Sequence, residues 1–447
     1  MTNVRISPGV KREHLDAYCR TEGAGGDFRS SPWWLIAAMA GGHRLSVCYV
    51  APGHSLLSTV GPTRNVLSLA GALAQHADVT VAFRNVLDDH APADLRVLEI
   101  QPDARRAAAI VDDAAMRGLG YHEFFAYLRD LRRFVHAALP AFDVVLEKSW
   151  LLSGYLSTLC RRQGRLGVPI ENFVPNAAHN SANSLAKRWR IEVGQRIAGH
   201  HLRGAPLIIA ETQHLKRSIV RHWRVREERI AVIGLGVDST LFAPRDQGAA
   251  RRQLDIAPDA LVLVYSGVLD ATHDLGPLLE AMARLRDPTI EVHVAGDGVL
   301  RAKHERAAHE SGVNAVFHGR VAHERVPIYI AAADLCLAPY DPTAFSFGEL
   351  GYSSMKVPEY LSAGRPVVTV PSGRLPDLVR DGETGFLLAN TREEWMRLLQ
   401  KRPSRERLRA MGEAAARVEL MSWNDTAEAY LELCERQLAG GDRSGTA

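Results

Sequence analysis

The chain has 447 residues, 46% hydrophobic and 23% charged, a globular composition long enough for two hydrophobic cores. Its 54 basic residues against 51 acidic ones leave a net charge of +3, too small to favour a nucleic-acid partner. Five cysteines without a C-x-x-C pair are typical of free thiols in a reducing cytoplasm. No signal peptide is visible, and the apolar run PWWLIAAMA from Pro32 is too short to cross a bilayer. We therefore expect a cytoplasmic protein, in solution or peripheral on the inner membrane face.

The first half of the chain alternates between predicted strands and helices. Residues 1–43 mix charge, glycine and serine, which predicts a loosely ordered extension with a short docking helix. The apolar run RLSVCYVAP from Arg44 predicts a buried strand, and Gly61-Pro62 predicts a helix start because proline fits the first helical position. The strand DVTVAF follows, so the pattern indicates a parallel sheet of Rossmann-like type.

Candidate ligand contacts follow several of these strands. The glycines do not spell G-x-G-x-x-G, so Gly61 either lets backbone amides approach a phosphate or is a simple turn glycine. Two later strands end at Glu147-Lys148 and at Glu171-Asn172. Because α/β proteins bind ligands at the carboxyl edge of the sheet, these residues are candidate contacts for an acceptor substrate.

The segment from Lys187 to Arg203, KRWRIEVGQRIAGHHLR, predicts a cationic helix with apolar interruptions. Such a helix either lies against an anionic membrane or an acidic substrate, or simply presents a solvated charged face. The sequence leaves both interpretations open.

The alternation restarts in the second half with the strand ALVLVYSG from Ala260, and its most informative stretch runs from Tyr352 to Val370. That stretch predicts a loop, a helix capped by Ser353 or Ser354, a turn at Gly364 and the buried strand PVVTV. We therefore predict a second domain of the same class as the first.

Lys356 and Glu359 lie one turn apart in this predicted helix. A helix N-terminus with a lysine beside it suits a phosphate, and a nearby carboxylate can accept hydrogen bonds from sugar hydroxyls. Alternatively, the serines only cap the helix, and the two charged residues form a solvated pair.

The order of residues in this stretch resembles the S-P-x-K-x-x-E-Y-x-A-x-G-x-P-V-V segment of retaining GT-B glycosyltransferases of family four, the glycosyl transferases group 1 type. VAGDG, VFHGRVAHERVPIYIAAADLCLAPY and LVRDGETGFLL also match the family pattern in order and spacing. The first half matches through Gly61, the E-x-N at Glu171 and the junction segment IAVIGLGVDSTLFAP.

The resemblance implies an α/β protein with the GT-B architecture, in which two Rossmann-like domains face each other across a cleft. It places an acceptor domain over residues 44–244, a nucleotide-sugar domain over 245–422, and a helix returning to the first domain over 423–447. Residues 1–43 remain a separate N-terminal extension.

The resemblance also implies roles for individual residues. Glu359 corresponds to the glutamate that binds the ribose hydroxyls, and the base is expected beside the three residues that follow the third strand of the second domain. These are Gly319, Arg320 and Val321. Lys356, the amides around Ser353 and Ser354, and the Gly61 loop are expected to bind the diphosphate.

Three positions depart from the family pattern. Gly267 matches, but Val268 stands where relatives carry arginine and His273 where they carry lysine, so His273 is either a candidate cation or simply a polar residue at a helix start. The first acid of the family's E-x7-E motif is replaced by Gly351, with Glu349 two residues earlier. Only Glu359 is therefore carried over from that motif.

We predict a retaining glycosyltransferase that moves a sugar from a nucleotide-diphosphate donor to the hydroxyl of a glycan, lipid or small-molecule acceptor. No paired carboxylates at glycosidase spacing are visible, which favours front-face displacement, with Lys356 and backbone amides stabilising the leaving diphosphate. No Asp-x-Asp motif or His/Cys cluster occurs, so neither a metal nor another cofactor is predicted. The alternatives are a GT-B phosphorylase or epimerase, and a non-catalytic GT-B binding subunit.

Overall fold

A computed structural model describes residues 44–57, 61–87, 95–101, 120–172, 185–341, 350–351 and 353–441. The predicted extension over residues 1–43 and the loop residue Glu349 lie outside these ranges.

The first lobe is built on seven parallel strands in the order β3-β2-β1-β4-β5-β6-β7. Strands β1 to β7 span Ser46–Ala51, Asp78–Phe83, Arg96–Glu99, Val144–Lys148, Leu166–Glu171, Ile208–Ala210 and Ile230–Val232. Helices α1 to α5 span Gly61–Leu73, Tyr121–Ala138, Tyr155–Arg162, Leu185–Gly204 and Gln213–Trp223.

The second lobe repeats this design with six parallel strands in the order β10-β9-β8-β11-β12-β13. Strands β8 to β13 span Leu261–Val268, Ile290–Asp297, Ala315–Phe317, Leu335–Ala338, Val367–Thr369 and Gly385–Leu387. Helices α6 to α14 span Gln247–Gln253, Gly276–Leu285, Arg301–Ser311, Val326–Ala332, Lys356–Ser362, Leu375–Leu378, Arg392–Lys401, Arg405–Ala415 and Trp423–Gly441.

Both faces of each sheet are covered, as continuous apolar strands require. On β1, Val47 and Tyr49 belong to the core on one face of the sheet, and Cys48 and Val50 belong to the core on the other. Successive side chains of a strand point to opposite faces, so a strand buried on both sides must be apolar throughout. The predicted pair of Rossmann-like domains is confirmed.

The strand orders fix where ligands can bind. In each sheet the order in which strands are added reverses beside the first strand, between β1 and β4 in the first sheet and between β8 and β11 in the second. The crevice at the carboxyl ends of such a strand pair is the usual ligand site of an open α/β sheet. The Gly61 loop follows β1, and Gly267 lies near the end of β8.

The last helix, α14, packs on the first lobe although it follows the second in sequence. Ala427, Tyr430 and Cys434 are buried in the core that includes β1 and α1. Because the chain crosses back in this way, the lobes are joined at two places, and Pro244 lies in the other connection, between β7 and β8. The exact domain limits near residues 44, 244 and 422 stay predictions.

Within the described ranges, no helix is both long and apolar enough to span a bilayer. The four cysteines in those ranges, Cys48, Cys160, Cys336 and Cys434, are buried free thiols.

Candidate active site

The helix that carries the predicted site begins at Lys356 and ends at Ser362. Met355 is the N-cap residue, and Ser354, one residue earlier, supplies a side-chain bond to the first turn, because its Oγ accepts the backbone N–H of Val357 at 3.3 Å. Gly364 then adopts a φ of 65°, which a glycine tolerates, and the chain turns into β12. The predicted loop, helix, turn and strand are all confirmed.

Lys356 lies against two aromatic rings at the carboxyl end of β8. Its Nζ is 4.7 Å from the ring centroid of Tyr265 and 5.1 Å from that of Tyr340, and it donates to the Tyr265 hydroxyl at 3.3 Å. Ammonium groups bind favourably over aromatic faces at such distances. Gly267 leaves room for the side chain, since a Cβ there would lie 3.3 Å from both Cε and Nζ of Lys356.

Lys356 and Glu359 have strongly shifted pKa values in opposite directions. Burial lowers the pKa of Lys356 to about 7, and the negative charges of Asp270 and Glu359 oppose that shift. Burial likewise raises the pKa of Glu359 to about 8, and the positive charges of Lys356 and Arg64 oppose it. A polyanionic ligand beside Lys356 would favour its charged form, so this ammonium is poised to respond to a phosphate.

His273 is not the cation that its sequence position suggests. Burial and the nearby charge of Lys356 together lower the pKa of His273 to about 4, against the opposing effect of Asp270. His273 is only 8% exposed. Its Nδ1 lies 2.8 Å from Oδ1 of Asp270, and its ring centroid lies 5.1 Å from that of Tyr340. With such a pKa the imidazole supplies little positive charge near neutral pH, and the predicted contact of His273 with the diphosphate stays a prediction.

The predicted base-binding residues lie directly after β10. Gly319 has a φ of 71°, and the half-exposed side chain of Arg320 pairs with Asp297, with 3.3 Å between Nε and Oδ2. Val321 packs against the core of the second lobe. Val268, in contrast, is 48% exposed at the end of β8. The base contact stays a prediction.

Gly61 opens helix α1 on the opposite side of the cleft. A Cβ at Gly61 would meet nothing within 4 Å, and its φ is not in the left-handed region. Neither the backbone conformation nor packing within the described residues therefore requires glycine there. The phosphate contact of Gly61 stays a prediction.

A buried carboxylate joins the two lobes beneath the cleft. Oε1 of Glu211, directly after β6, accepts from Nδ2 of Asn65 at 3.3 Å, and Oε2 accepts the backbone N–H of Ser353 at 3.3 Å. The hydroxyl of Thr212 donates to the carbonyl oxygen of Gly351 at 2.5 Å. The segment that precedes Lys356 is thus anchored to the first lobe.

These contacts correct the prediction for Ser353. Its N–H is bonded to Glu211, and its Oγ accepts from Nη1 of Arg374 at 3.3 Å. Ser354 is also committed within the chain, because its Oγ bonds the Tyr340 hydroxyl and the N–H of Val357. The Ser353 amide is therefore engaged by Glu211, which contradicts its predicted phosphate contact, whereas the contact of the Ser354 amide stays a prediction.

A second connection crosses the cleft at Arg64, in the first turn of α1. Its Nη2 lies 3.3 Å from Oε1 of Glu324 in the second lobe. Glu324 lies in a short turn of 3₁₀ helix, His323–Arg325, shortly after the predicted base-binding residues.

The candidate acceptor contacts at the edge of the first sheet have different environments. Glu147 is fully buried and accepts from Nε1 of Trp150 at 2.7 Å and from the N–H of Ser157 at 3.2 Å, so it orients the start of α3. Its predicted acceptor role is therefore wrong. Burial raises the pKa of Glu171 to about 8, and the Ser153 hydroxyl lies near it without forming a regular hydrogen bond.

Lys148 and Asn172 complete that edge. Lys148 is 1% exposed, and its charge opposes the rise that burial causes in the pKa of Glu211, which reaches about 7. The side-chain oxygen of Asn172 accepts from the Ser149 hydroxyl. An acceptor role for Lys148, Glu171 and Asn172 stays a prediction.

The predicted cationic helix is α4. Its residues Ile191, Ala198 and Leu202 are buried, whereas Trp189 is 63% exposed. The guanidinium of Arg190 lies 6.0 Å from the ring centroids of Tyr121 and Phe124, which brings the start of α4 against the start of α2.

Sequence analysis missed several residues of this cleft: Tyr265, Tyr340, Arg64, Asn65 and Glu211. For Glu211 a signal existed, since it directly follows the buried strand LIIA, as Glu147 and Glu171 follow theirs. The aromatic rings around Lys356 gave no local signal, because Tyr265 occupies an ordinary strand position and Tyr340 lies two residues after β11.

Family models match both lobes. The model described as Glycosyltransferase Family 4 matches residues 60–241, and the model described as Glycosyl transferases group 1 matches residues 260–401.

Curated relatives match across both lobes as well. The chain is 29% identical over 342 residues to D-inositol 3-phosphate glycosyltransferase of Nocardioides sp. strain ATCC BAA-499 / JS614, covering 70% of this chain and 71% of that one. It is 30% identical over 310 residues to the protein of the same name from Rhodococcus opacus strain B4, covering 66% of this chain and 67% of that one.

Solved structures share the fold. Sucrose-phosphate synthase from Thermosynechococcus elongatus gives a TM-score of 0.68 at 21% identity, covering 88% of this chain and all of that one. Anabaena HepE in complex with UDP and glucose gives a TM-score of 0.66 at 17% identity, covering 88% and 99%. The predicted GT-B architecture is confirmed.

Proposed function

The chain belongs to glycosyltransferase family 4 of the glycosyl transferases group 1 type, and we propose that it transfers a sugar with retention from a nucleotide diphosphate to an acceptor hydroxyl. One observation carries the proposal. Lys356 is held over Gly267 at the carboxyl end of β8, one turn before Glu359, in a cleft that the first lobe closes.

In this proposal the second lobe binds the nucleotide sugar. Glu359 accepts from the ribose hydroxyls, and the Lys356 ammonium lies beside the diphosphate. As the bond between the anomeric carbon and the phosphate oxygen breaks, negative charge grows on the diphosphate, and a fixed cation stabilises it more in the transition state than in the ground state. The pKa of Lys356 near 7 means that the ligand itself completes the protonation of this group.

Retention follows from front-face displacement in this proposal. The acceptor oxygen bonds the anomeric carbon on the side from which the diphosphate leaves, and the hydroxyl proton passes to the departing phosphate oxygen. The protein's task is then to hold the two reacting atoms together as the lobes close. A requirement for no metal stays a prediction.

The acceptor is proposed to bind the carboxyl edge of the first sheet, beside Glu171 and Lys148. The relatives from Nocardioides and Rhodococcus are named for D-inositol 3-phosphate. A phosphorylated polyol is therefore the first acceptor to test, ahead of glycan and lipid acceptors.

Two measurements test the transfer. A panel of UDP-, GDP- and ADP-sugars is screened by thermal shift, because a ligand that binds only the native state raises its stability. The binding sugar is then offered with D-inositol 3-phosphate, and proton NMR reads the anomeric configuration of the product. Inversion contradicts retention, and an epimerised nucleotide sugar identifies an epimerase. Sugar phosphate formed from a glycan and inorganic phosphate in a separate reaction identifies a phosphorylase, and the absence of nucleotide binding favours a non-catalytic subunit.

We also propose that the start of α2 and α4 meets an anionic bilayer. Phe125 is 65% exposed, Trp189 63% and Tyr121 44%, and Arg129 and Arg133 are exposed on the same helix as Phe125. Aromatic residues interleaved with arginines suit the interface of a membrane with negatively charged lipids.

Flotation with vesicles tests this contact. The parent is expected to float with vesicles containing phosphatidylglycerol and to stay behind with phosphatidylcholine alone. The double variant Phe125→Ser, Trp189→Ser is expected to lose flotation, while Val299→Ser, at an 85% exposed residue of the second lobe, keeps it. Flotation of the double variant at the parent's level contradicts the contact.

A further inference from the structure

We propose that Arg64 is a second cation of the nucleotide-sugar site, supplied by the first lobe and directed at the phosphates. This inference rests on the proposed function. Arg64 lies three residues after Gly61, in the first turn of α1, and its guanidinium reaches across to the second lobe, where Nη2 is 3.3 Å from Oε1 of Glu324.

The guanidinium has hydrogen-bonding capacity left over. Nε of Arg64 is buried and has no hydrogen-bond partner among the described residues, and the whole side chain is only 25% exposed. Buried donors in proteins are nearly always paired, so one that is not calls for a specific explanation. Phosphate oxygens, like carboxylates, match the geometry and charge of a guanidinium well.

The charge of Arg64 acts on residues close to the proposed nucleotide-binding site. Its charge opposes the rise in pKa that burial causes at Glu359, and it adds to the fall that burial causes at His323. Glu359 is the residue proposed to bind the ribose, and His323 follows the proposed base contact at Val321. Arg64 thus faces the part of the cleft where ribose and phosphates are proposed to lie.

The second lobe supplies little fixed charge of its own at this place. The residue after Gly267 is Val268, and His273 is neutral. A diphosphate held by Lys356 would keep uncompensated negative charge, which an arginine on the opposite wall would neutralise. Binding of the nucleotide sugar would then draw on both lobes and favour the closed arrangement.

Glu324 competes with the phosphates in this scheme. It is 69% exposed and pairs with Arg64, so a bound nucleotide must share or replace that partner. Removing the charge of Glu324 should therefore leave phosphate binding intact or strengthen it.

Opposite effects of two variants distinguish this role from a purely structural one. Calorimetry measures the affinities of UDP, GDP and ADP for the parent, and the binding nucleotide is then compared with its nucleoside in each variant. Arg64→Ala is expected to lower affinity for the diphosphate at least tenfold and to leave nucleoside affinity within twofold. Glu324→Gln is expected to keep or raise diphosphate affinity.

Arg64→Gln and Arg64→Lys cover the case in which alanine disturbs folding. Gln is expected to behave as Ala does, and Lys to lose less because it keeps the charge. If Arg64 acts only by clamping Glu324, the Arg64 and Glu324 variants lose diphosphate affinity equally, and the inference is overturned. Unchanged diphosphate affinity in Arg64→Ala and Arg64→Gln overturns it too, while the proposed function stands. If the parent binds no nucleotide, both fail.

Discussion

The carboxylate of Glu211 accepts the backbone N–H of Ser353 at 3.3 Å, across 142 residues of sequence and between the two lobes. Ser353 lies three residues before Lys356, so the position of the proposed phosphate-binding ammonium depends on a side chain of the opposite lobe. Asn65 bonds the other carboxylate oxygen and ties this contact to α1, the helix that begins at Gly61.

Glu211→Ala is therefore expected to loosen the segment around Ser353. A buried N–H that loses its acceptor costs about 1–3 kcal/mol, so its amide hydrogen should exchange at least about fivefold faster. Hydrogen exchange with mass spectrometry measures the peptide that contains Ser353. Asp259→Ala is the control, because this carboxylate is 95% exposed and lies in the second lobe, as Ser353 does. Parent-like exchange in Glu211→Ala would show that Glu211 does not hold this segment.

Glu359→Gln is expected to leave the fold intact and, above about pH 8, to remove most transfer, because its effect on nucleotide affinity should grow with pH. Burial raises the pKa of Glu359 to about 8, so below that pH the carboxyl is mostly protonated and resembles the amide. Above it, the parent gains a charged acceptor for two hydroxyls, and charge-assisted bonds contribute about 1.5–3 kcal/mol each.

Nucleotide affinities of the parent and of Glu359→Gln, measured at pH 6 and pH 9, test whether the loss of affinity grows with pH. The ratio of dissociation constants is expected to be small at pH 6 and to exceed tenfold at pH 9. The loss of Glu359 also lowers the pKa of Lys356, which acts in the same direction because Glu359 supports the charge of Lys356. A ratio that is constant over pH, or that falls, contradicts the titration; unchanged kinetics contradict the assignment of Glu359.

Gly267→Ala should harm turnover more than stability. Its φ of 138° and a methyl group 3.3 Å from Nζ of Lys356 would strain the backbone and displace the ammonium. Gly312→Ala is the matched control, since its φ is 66° and its Cβ would meet nothing within 4 Å. A left-handed conformation costs an alanine about 1–2 kcal/mol, so both variants are expected to melt a few degrees lower.

Only Gly267→Ala is expected to lose turnover, by up to about a hundredfold, because a shift of about 1 Å in a catalytic group has effects of that size. Equal turnover in the two variants, measured beside their melting temperatures, would remove Gly267 from the support of Lys356.

The sequence predicts most of the local structure around Lys356, because caps, turns and buried strands are encoded within a few residues. Ser354, Gly364 and PVVTV each act as their chemistry indicates. The electrostatic state of the site was not predictable in this way. His273 lies shortly before a helix, where a cation would suit, yet its ring is buried beside Tyr340, and burial lowers its pKa to about 4.

Contacts between distant segments account for the remaining errors. Glu147, Glu171 and Glu211 all follow buried strands, and nothing local distinguishes them. Glu147 turns to Trp150 and α3, whereas Glu211 crosses to Ser353 in the other lobe. Which carboxylate serves a helix and which serves the cleft is decided by the packing of whole lobes.

The final prediction compares how much Lys356 and an arginine restored at position 268 contribute to turnover. With Val268 exposed where relatives carry a cation and His273 neutral, Lys356→Ala is expected to harm turnover more than Val268→Arg improves it. Removing a charge contact made in the transition state of a closed site costs about 3 kcal/mol, or two orders of magnitude in turnover.

Turnover and inhibition by the nucleoside diphosphate are measured for both variants, with the exposed Lys401→Ala as control. If Lys356→Ala keeps near-parent values, the phosphates are held elsewhere, and because His273 carries no charge, Arg64 on the opposite wall becomes the cation to examine.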